Sequence, residues 1–222
     1  MTGFLIAIDT TAGTTVALLR DDELLAEVRY QDGLKHAETI GNAISEVFAK
    51  AQLEPKVLSA VAVGRGPALF TGLRVGIAAG VMLSEATGAK LIGVVSHDAI
   101  ALEAYSLEPA LAAKPLLVHT DARRGEVYWA LYGGLDRHGL PVLLAGPSVG
   151  KYAEVTATLA EEFGEFNECT QGATADWLAR LARKQLAEGF ATDDVTALYL
   201  RAPDATMPKP NQQFGKRVSD DR

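Results

Sequence analysis

Read along the chain, apolar and polar positions alternate between two periods. Residues 4–10, FLIAIDT, form a short apolar run, and TTVALLRD at 14–21 and LLAEVRYQ at 24–31 follow with the β-branched composition of strands. The joining segments are short enough to predict an antiparallel meander. From His36 to Ala51 the period changes: Ala37, Ile40, Ile44, Val47, Phe48 and Ala51 recur at helical spacing, with Glu38, Asn42, Glu46 and Lys50 opposite them. A buried strand over 59–63 comes next, then the punctuation Gly64, Gly66, Pro67, then a helix over 71–87 with Thr71 as its cap. KLIGVVS at 90–96 predicts another buried strand and HDAIALEAY a helix.

A second half begins near Pro109 to Pro115. PLLVHTDA, GEVYWALY and VLLAG at 142–146 have strand composition, residues 151–164 and 174–188 have helical period, and ALYLRAP at 197–203 reads as a last short strand. The order predicts an α/β protein with a first unit over 1–108, a second over 109–203, and a tail over 204–222 that is disordered or ordered by a neighbour.

The helix over 71–87 is unusual. Gly72, Gly76 and Gly80 recur every fourth residue, and each costs about 1 kcal/mol relative to alanine in a helix interior. Small residues so spaced admit a second backbone at close range, which makes this strip a candidate surface for a partner. The candidate interface is Ile40, Ile44, Gly72, Leu73, Gly76, Ile77, Gly80 and Leu83.

Composition narrows the function. The 222 residues carry 21 Lys and Arg against 28 Asp and Glu, a net charge of −7, which argues against a broad phosphate-binding surface. One cysteine, Cys169, cannot form an internal disulfide, and no leader or membrane-length apolar run is visible, so a reducing cytoplasm is expected.

Candidate chemistry is sparse. Asp9 closes the first strand and precedes Thr10 and Thr11, a turn able to hold a phosphate or a hydrated magnesium; the alternative is a hairpin whose Asp and Thr side chains satisfy their own backbone. Gly66 and Thr71 could seat an anion at the start of the glycine-bearing helix, although GxGxxG fails at Leu69. Arg74 in the first turn opposes the helix dipole and calls for a carboxylate or an anion beside it. His36 has Thr39 and Ile40 where a second metal ligand would stand, so no metal site is expected. Asp121, Arg123, Arg124 and Glu126 read as a solvated turn or a set of mutual ion pairs, and no catalytic set of nucleophile, base and acid emerges.

GPALFTGLRVGIAAG at 66–80 resembles the GPGSFTGLRIG signature of the bacterial TsaB (YeaZ) family. LIAIDTT at 5–11, LIGVVSHDAIA at 91–101, DARRGEVY at 121–128 and LYLRAP at 198–203 follow in that family's order. The resemblance implies an actin, hexokinase and Hsp70-like (ASKHA) fold of two related α/β subdomains. It implies a non-catalytic subunit in placing threonylcarbamoyl on N6 of adenosine 37 of tRNAs that read codons beginning with A. The implied partners are a TsaD-type catalytic subunit and a TsaE-type ATPase, with a homodimer when isolated and tRNA met only through the complex. No tightly bound cofactor is expected, and a weak adenine nucleotide with magnesium belongs to the partner interface. Competing readings are an ATP-dependent small-molecule kinase of the same superfold and a glycoprotease-type peptidase.

Overall fold

A computed structural model describes residues 3–31 and 36–201. The opening meander is β1 (Phe4–Asp9), β2 (Thr14–Arg20) and β3 (Glu23–Tyr30). It is followed by α1 (His36–Ala51), β4 (Leu58–Gly64), α2 (Phe70–Thr87), β5 (Lys90–Val94) and α3 (Ser96–Leu107). These strands make a five-stranded sheet in the order β3-β2-β1-β4-β5. β1 pairs antiparallel with β2 and parallel with β4, so the polypeptide crosses over through α1.

The second sheet holds β6 (Leu116–Asp121), β7 (Glu126–Leu135), β8 (Pro141–Lys151) and β9 (Asn167–Cys169), in the order β8-β7-β6-β9. It repeats the first: a meander, a helix α4 (Tyr152–Phe163), then a strand parallel to the first of the three. Two related α/β units are thus present, as the resemblance implied, although β9 is too short to register as a strand in the sequence.

The layers follow from the side-chain periods. On one face of the first sheet, α1 contributes Ile40, Ala43, Val47 and Phe48 to a core with Ile6, Ile8, Val61 and Val63. The other face, through Leu5, Ala7, Ala62 and Ile92, is covered by α3 and by α5 (Ala175–Glu188), whose Leu178, Ala179 and Leu181 are fully buried. α3 also turns Ile100, Ala101 and Tyr105 toward the second sheet, whose outer face is covered by α4. The last helix of the second half therefore packs on the first sheet, and the division near residue 109 separates the sheets without separating their helices.

Two boundaries differ from expectation. α2 begins at Phe70 with Leu69 as its N-cap and no side-chain capping bond, so Thr71 lies inside the first turn. Residues 197–201 join no sheet; they run as a strap in which Leu198 N–H donates to the Arg65 carbonyl at 2.7 Å. The rest of the expected strand and the tail from Asp204 lie outside the described residues.

Candidate functional site

The glycine strip of α2 faces inward. A Cβ on Gly80 would stand 2.0 Å from Cγ1 of Val63 on β4, and one on Gly76 would stand 2.4 Å from Oγ1 of Thr10. At Gly72 the nearest atoms are the His36 ring at 2.8 Å and the Thr10 carbonyl at 3.2 Å. The close approach that three glycines permit is made by α2 on its own sheet and on the turn after β1. As a docking surface the strip is therefore corrected, and Leu73 and Ile40 are buried with it. Ile44, Ile77 and Leu83 are half-buried; Ile44 and Leu83, with Val75 and Ala79, pack along the flank where α1 and α2 meet.

What the two helices present outward is different. α1 exposes Ala37, Gly41, Ser45 and Ala49 at four-residue spacing, and a Cβ on Gly41 would meet nothing within 4 Å. α2 exposes Arg74, Ala78 and Met82, the last at 71%.

Asp9 ends β1 in a sealed pocket. Its Oδ1 accepts from Thr11 N–H at 2.8 Å and from Thr11 Oγ1 at 2.5 Å, and its Oδ2 accepts from Ser96 Oγ at 2.6 Å. Gly64 leaves the space the carboxylate fills, since a Cβ there would lie 2.0 Å from Oδ2. Burial raises the pKa of Asp9, and the bonds from Ser96 and Thr11 work in the opposite direction. The hydrogen bonds observed are those of the self-satisfied reading of this turn: both Asp9 oxygens are engaged and the residue is 1% exposed. Thr10 donates to the Gly72 carbonyl at 3.0 Å, and Gly66 is buried, its carbonyl accepting from Ser96 N–H at 2.8 Å.

Thr10, Thr11 and Thr71 do border an open cleft of about 770 Å³ between the two units. Its other walls are the first turns of α1 and α2 and, from the second unit, Thr120, Asp121, Arg123 and Tyr128. Arg123 and Asp121 form the mutual pair expected of that turn, at 3.4 Å, and Arg123 N–H closes on Oδ1 at 2.8 Å. Tyr128 was not legible as a site residue; the available signal was its inward phase on β7, shared with Ala130 and Tyr132.

Among the described residues no carboxylate pairs with Arg74. Its guanidinium lies 3.6 Å over the Phe70 ring and donates to the Tyr199 hydroxyl at 2.8 Å, so the strap's aromatic ring and its own helix hold the cation. His36 Nδ1 is 3.0 Å from Thr14 Oγ1. Among the described residues no cluster of three or more His, Cys, Asp or Glu side chains is placed to hold a metal, and no helix is long and apolar enough to cross a membrane.

Comparison with known proteins agrees with this geometry. The TsaD family model, described as tRNA N6-adenosine threonylcarbamoyltransferase, matches residues 25–193. An uncharacterized protein of Mycobacterium tuberculosis is 34% identical over 205 residues, 90% of this chain and 92% of that one. Another from Mycobacterium leprae is 40% identical over 155 residues, 68% of this chain and 39% of that protein. The tRNA threonylcarbamoyladenosine biosynthesis protein TsaB of Escherichia coli is 35% identical over 131 residues, 58% of this chain and 54% of its own length. The structure of YeaZ from Pseudomonas aeruginosa superposes with a TM-score of 0.72 at 24% identity, covering 89% of this chain and all of that one, which shows a common fold. With the family model spanning most of the chain and TsaB relatives 30–35% identical over 58% of it, the chain belongs to the TsaB (YeaZ) family of the TsaD superfamily.

Proposed function

We propose that this protein is a non-catalytic subunit for making N6-threonylcarbamoyladenosine in tRNA, and that it works by docking a TsaD-type catalytic subunit. The pathway comes from relatives whose name is tRNA threonylcarbamoyladenosine biosynthesis protein TsaB. The non-catalytic part is carried by one observation, the sealing of Asp9 by Thr11 and Ser96. A phosphate turn that carries out transfer needs a carboxylate free to hold a metal's water, and here it is buried with a protein donor on each oxygen. The kinase reading loses its acidic group for the same reason. Magnesium with an adenine nucleotide, in this view, depends on groups supplied by the partner, as does contact with tRNA, and the complex includes a TsaE-type ATPase in the cytoplasm.

The docking surface we assign is the outward side of α1 and α2, which exposes the small residues Ala37, Gly41, Ser45 and Ala49 on α1 and Ala78 with Met82 on α2. A facing helix pair can approach closely there. The same side serves a homodimer when no TsaD-type subunit is present.

The experiment is co-purification with the TsaD-type subunit of the same organism, for wild type and Gly41→Leu, together with mass spectrometry of tRNA nucleosides after depletion of the protein. Association lost in Gly41→Leu with its melting temperature retained, and a fall in the modified nucleoside on depletion, are the expected results. Unchanged modification after depletion overturns the function, and unchanged association in Gly41→Leu overturns the surface.

A further inference from the structure

We propose that the segment following the strap folds back into the cleft between the two units and closes it, with Met207 and Phe214 as the side chains it buries there. The first argument is the path of the chain. Tyr199 lies 4.5 Å from the Phe70 ring and its hydroxyl accepts from Arg74, so it rests against the first turn of α2. Two positions later Arg201 donates to the Ala122 carbonyl at 3.1 Å and pairs with Glu126, at the turn between β6 and β7. Phe70 belongs to one wall of the cleft, and Asp121 and Arg123, on either side of Ala122, belong to the other. The strap therefore bridges both walls and delivers the chain at the cleft's border, with residues 202–222 still to follow.

The second argument is the wall itself. The cleft measures about 770 Å³, and Ala12, Ala37, Ala68, Leu69, Phe70 and Val75 give it an apolar side. Leu69 is 42% exposed and Tyr199 38%, two large side chains left half uncovered at the same border. Removing such surface from water is favourable in proportion to its area.

The third argument is the composition of the segment. Met207 and Phe214 are the first large apolar side chains after the strap. Residues 205–218 carry Lys209, Lys216 and Arg217 and no carboxylate, in a chain of net charge −7. The cleft offers them Asp121 on one wall and the exposed Glu38 in the first turn of α1, beside His36 and Ala37 that line it. Pro203, Pro208 and Pro210 fix φ and so reduce the conformational entropy lost when the segment is ordered.

Tethering selects this cleft over a second molecule. At about 3.3–3.6 Å per extended residue, the run from Arg201 to Met207 reaches about 20 Å, enough to enter a cleft of this volume. Held at the border by the strap, the segment meets its own cleft at a far higher effective concentration than it meets another copy.

The test uses the full chain with p-benzoylphenylalanine in place of Phe214, irradiated and mapped by mass spectrometry, beside hydrogen exchange of wild type and a Met207→Ser, Phe214→Ser double variant. Crosslinks within one molecule to residues 68–75 or 120–128 are expected. Amides of residues 10–13 and 68–75 are expected to exchange about threefold or more faster in the double variant, while those of α4 exchange as in wild type. Absence of a crosslink, crosslinks to another face, or bands joining two molecules overturn the proposal, and so does identical exchange over 68–75 in the two proteins. These readings need no partner subunit, so their failure leaves the docking surface on α1 and α2 untouched.

Discussion

Ser96 Oγ donates to Oδ2 of Asp9 at 2.6 Å, tying the start of α3 to the end of β1 across 87 positions of sequence. Its neighbours make the same kind of link toward the second sheet: His97 Nε2 lies 3.0 Å from Thr120 Oγ1 on β6, and Asp98 Oδ1 accepts from the Tyr132 hydroxyl on β7 at 2.6 Å. Consecutive residues of one helix start thus fix both units relative to each other. Ser96→Ala leaves Oδ2 of a buried carboxylate without its donor, which should cost about 1–3 kcal/mol in urea unfolding. The same variant should raise the Asp9 pKa further, because the Ser96 bond is the largest of the influences that lower it.

The glycines of α1 and α2 predict opposite responses. Gly80→Ala places a methyl 2.0 Å from Cγ1 of the buried, β-branched Val63 and is expected to destabilise by about 1–3 kcal/mol through overpacking. Gly41→Ala meets open space on an exposed helix face and is expected to stabilise by about 0.5–1 kcal/mol through helix propensity. Melting temperatures of the two variants give the comparison directly. If Gly80→Ala melts as wild type does, the inward packing of α2 is wrong.

These glycines also show what sequence could and could not reveal. The period of α1 and the runs of β1 to β5 were legible because burial on a sheet imposes a spacing of two or an unbroken apolar run, and a helix imposes three or four. The strip of Gly72, Gly76 and Gly80 correctly announced a close approach, but spacing cannot say whether the approaching backbone belongs to the same chain. Asp9 and Thr11 are two apart and their mutual bond was foreseeable, whereas Ser96 lies in another element and its role depends on topology alone. The outward stripe on α1 was hidden for a related reason: alanine and serine at exposed positions break no pattern.

Arg74 offers a test of the strap. In the first helical turn its charge is unfavourable to the dipole, and the Phe70 face and the Tyr199 hydroxyl offset this. Tyr199→Ala removes the hydroxyl and the ring 4.5 Å from Phe70, leaving the guanidinium on one aromatic face. The expected cost is about 0.5–2 kcal/mol, and in Arg74→Gln the same substitution at Tyr199 should cost measurably less, so a double-mutant cycle reads the coupling. Additive effects would show that the strap is held elsewhere, through Leu198 and the Arg65–Asp194 pair.

His97 and Asp98 titrate against each other. Burial lowers the His97 pKa to about 3, and protonation would add a proton at Nδ1, which is sealed from solvent and has no hydrogen-bond partner among the described residues. Burial raises Asp98 to about 6, opposed by the Tyr132 bond. For His97 the folded value lies below the unfolded one, so its contribution is present above about pH 6.5 and is lost as pH falls toward 3. For Asp98 the folded value lies above the unfolded one, so its contribution is full below about pH 4 and is lost as pH rises through 6. Between about pH 4 and 6 one proton is taken up by the unfolded chain at His97 and one by the folded chain at Asp98, and the two slopes cancel. Asp98→Asn should expose the histidine alone, adding a loss of about 1.4 kcal/mol for each pH unit of acidification in that window relative to wild type. His97→Gln, which keeps a polar atom for Thr120, should show the opposite slope. Urea unfolding of the three proteins at several pH values separates these outcomes, and parallel curves for wild type and Asp98→Asn would mean that this carboxylate is ionised in the folded protein throughout.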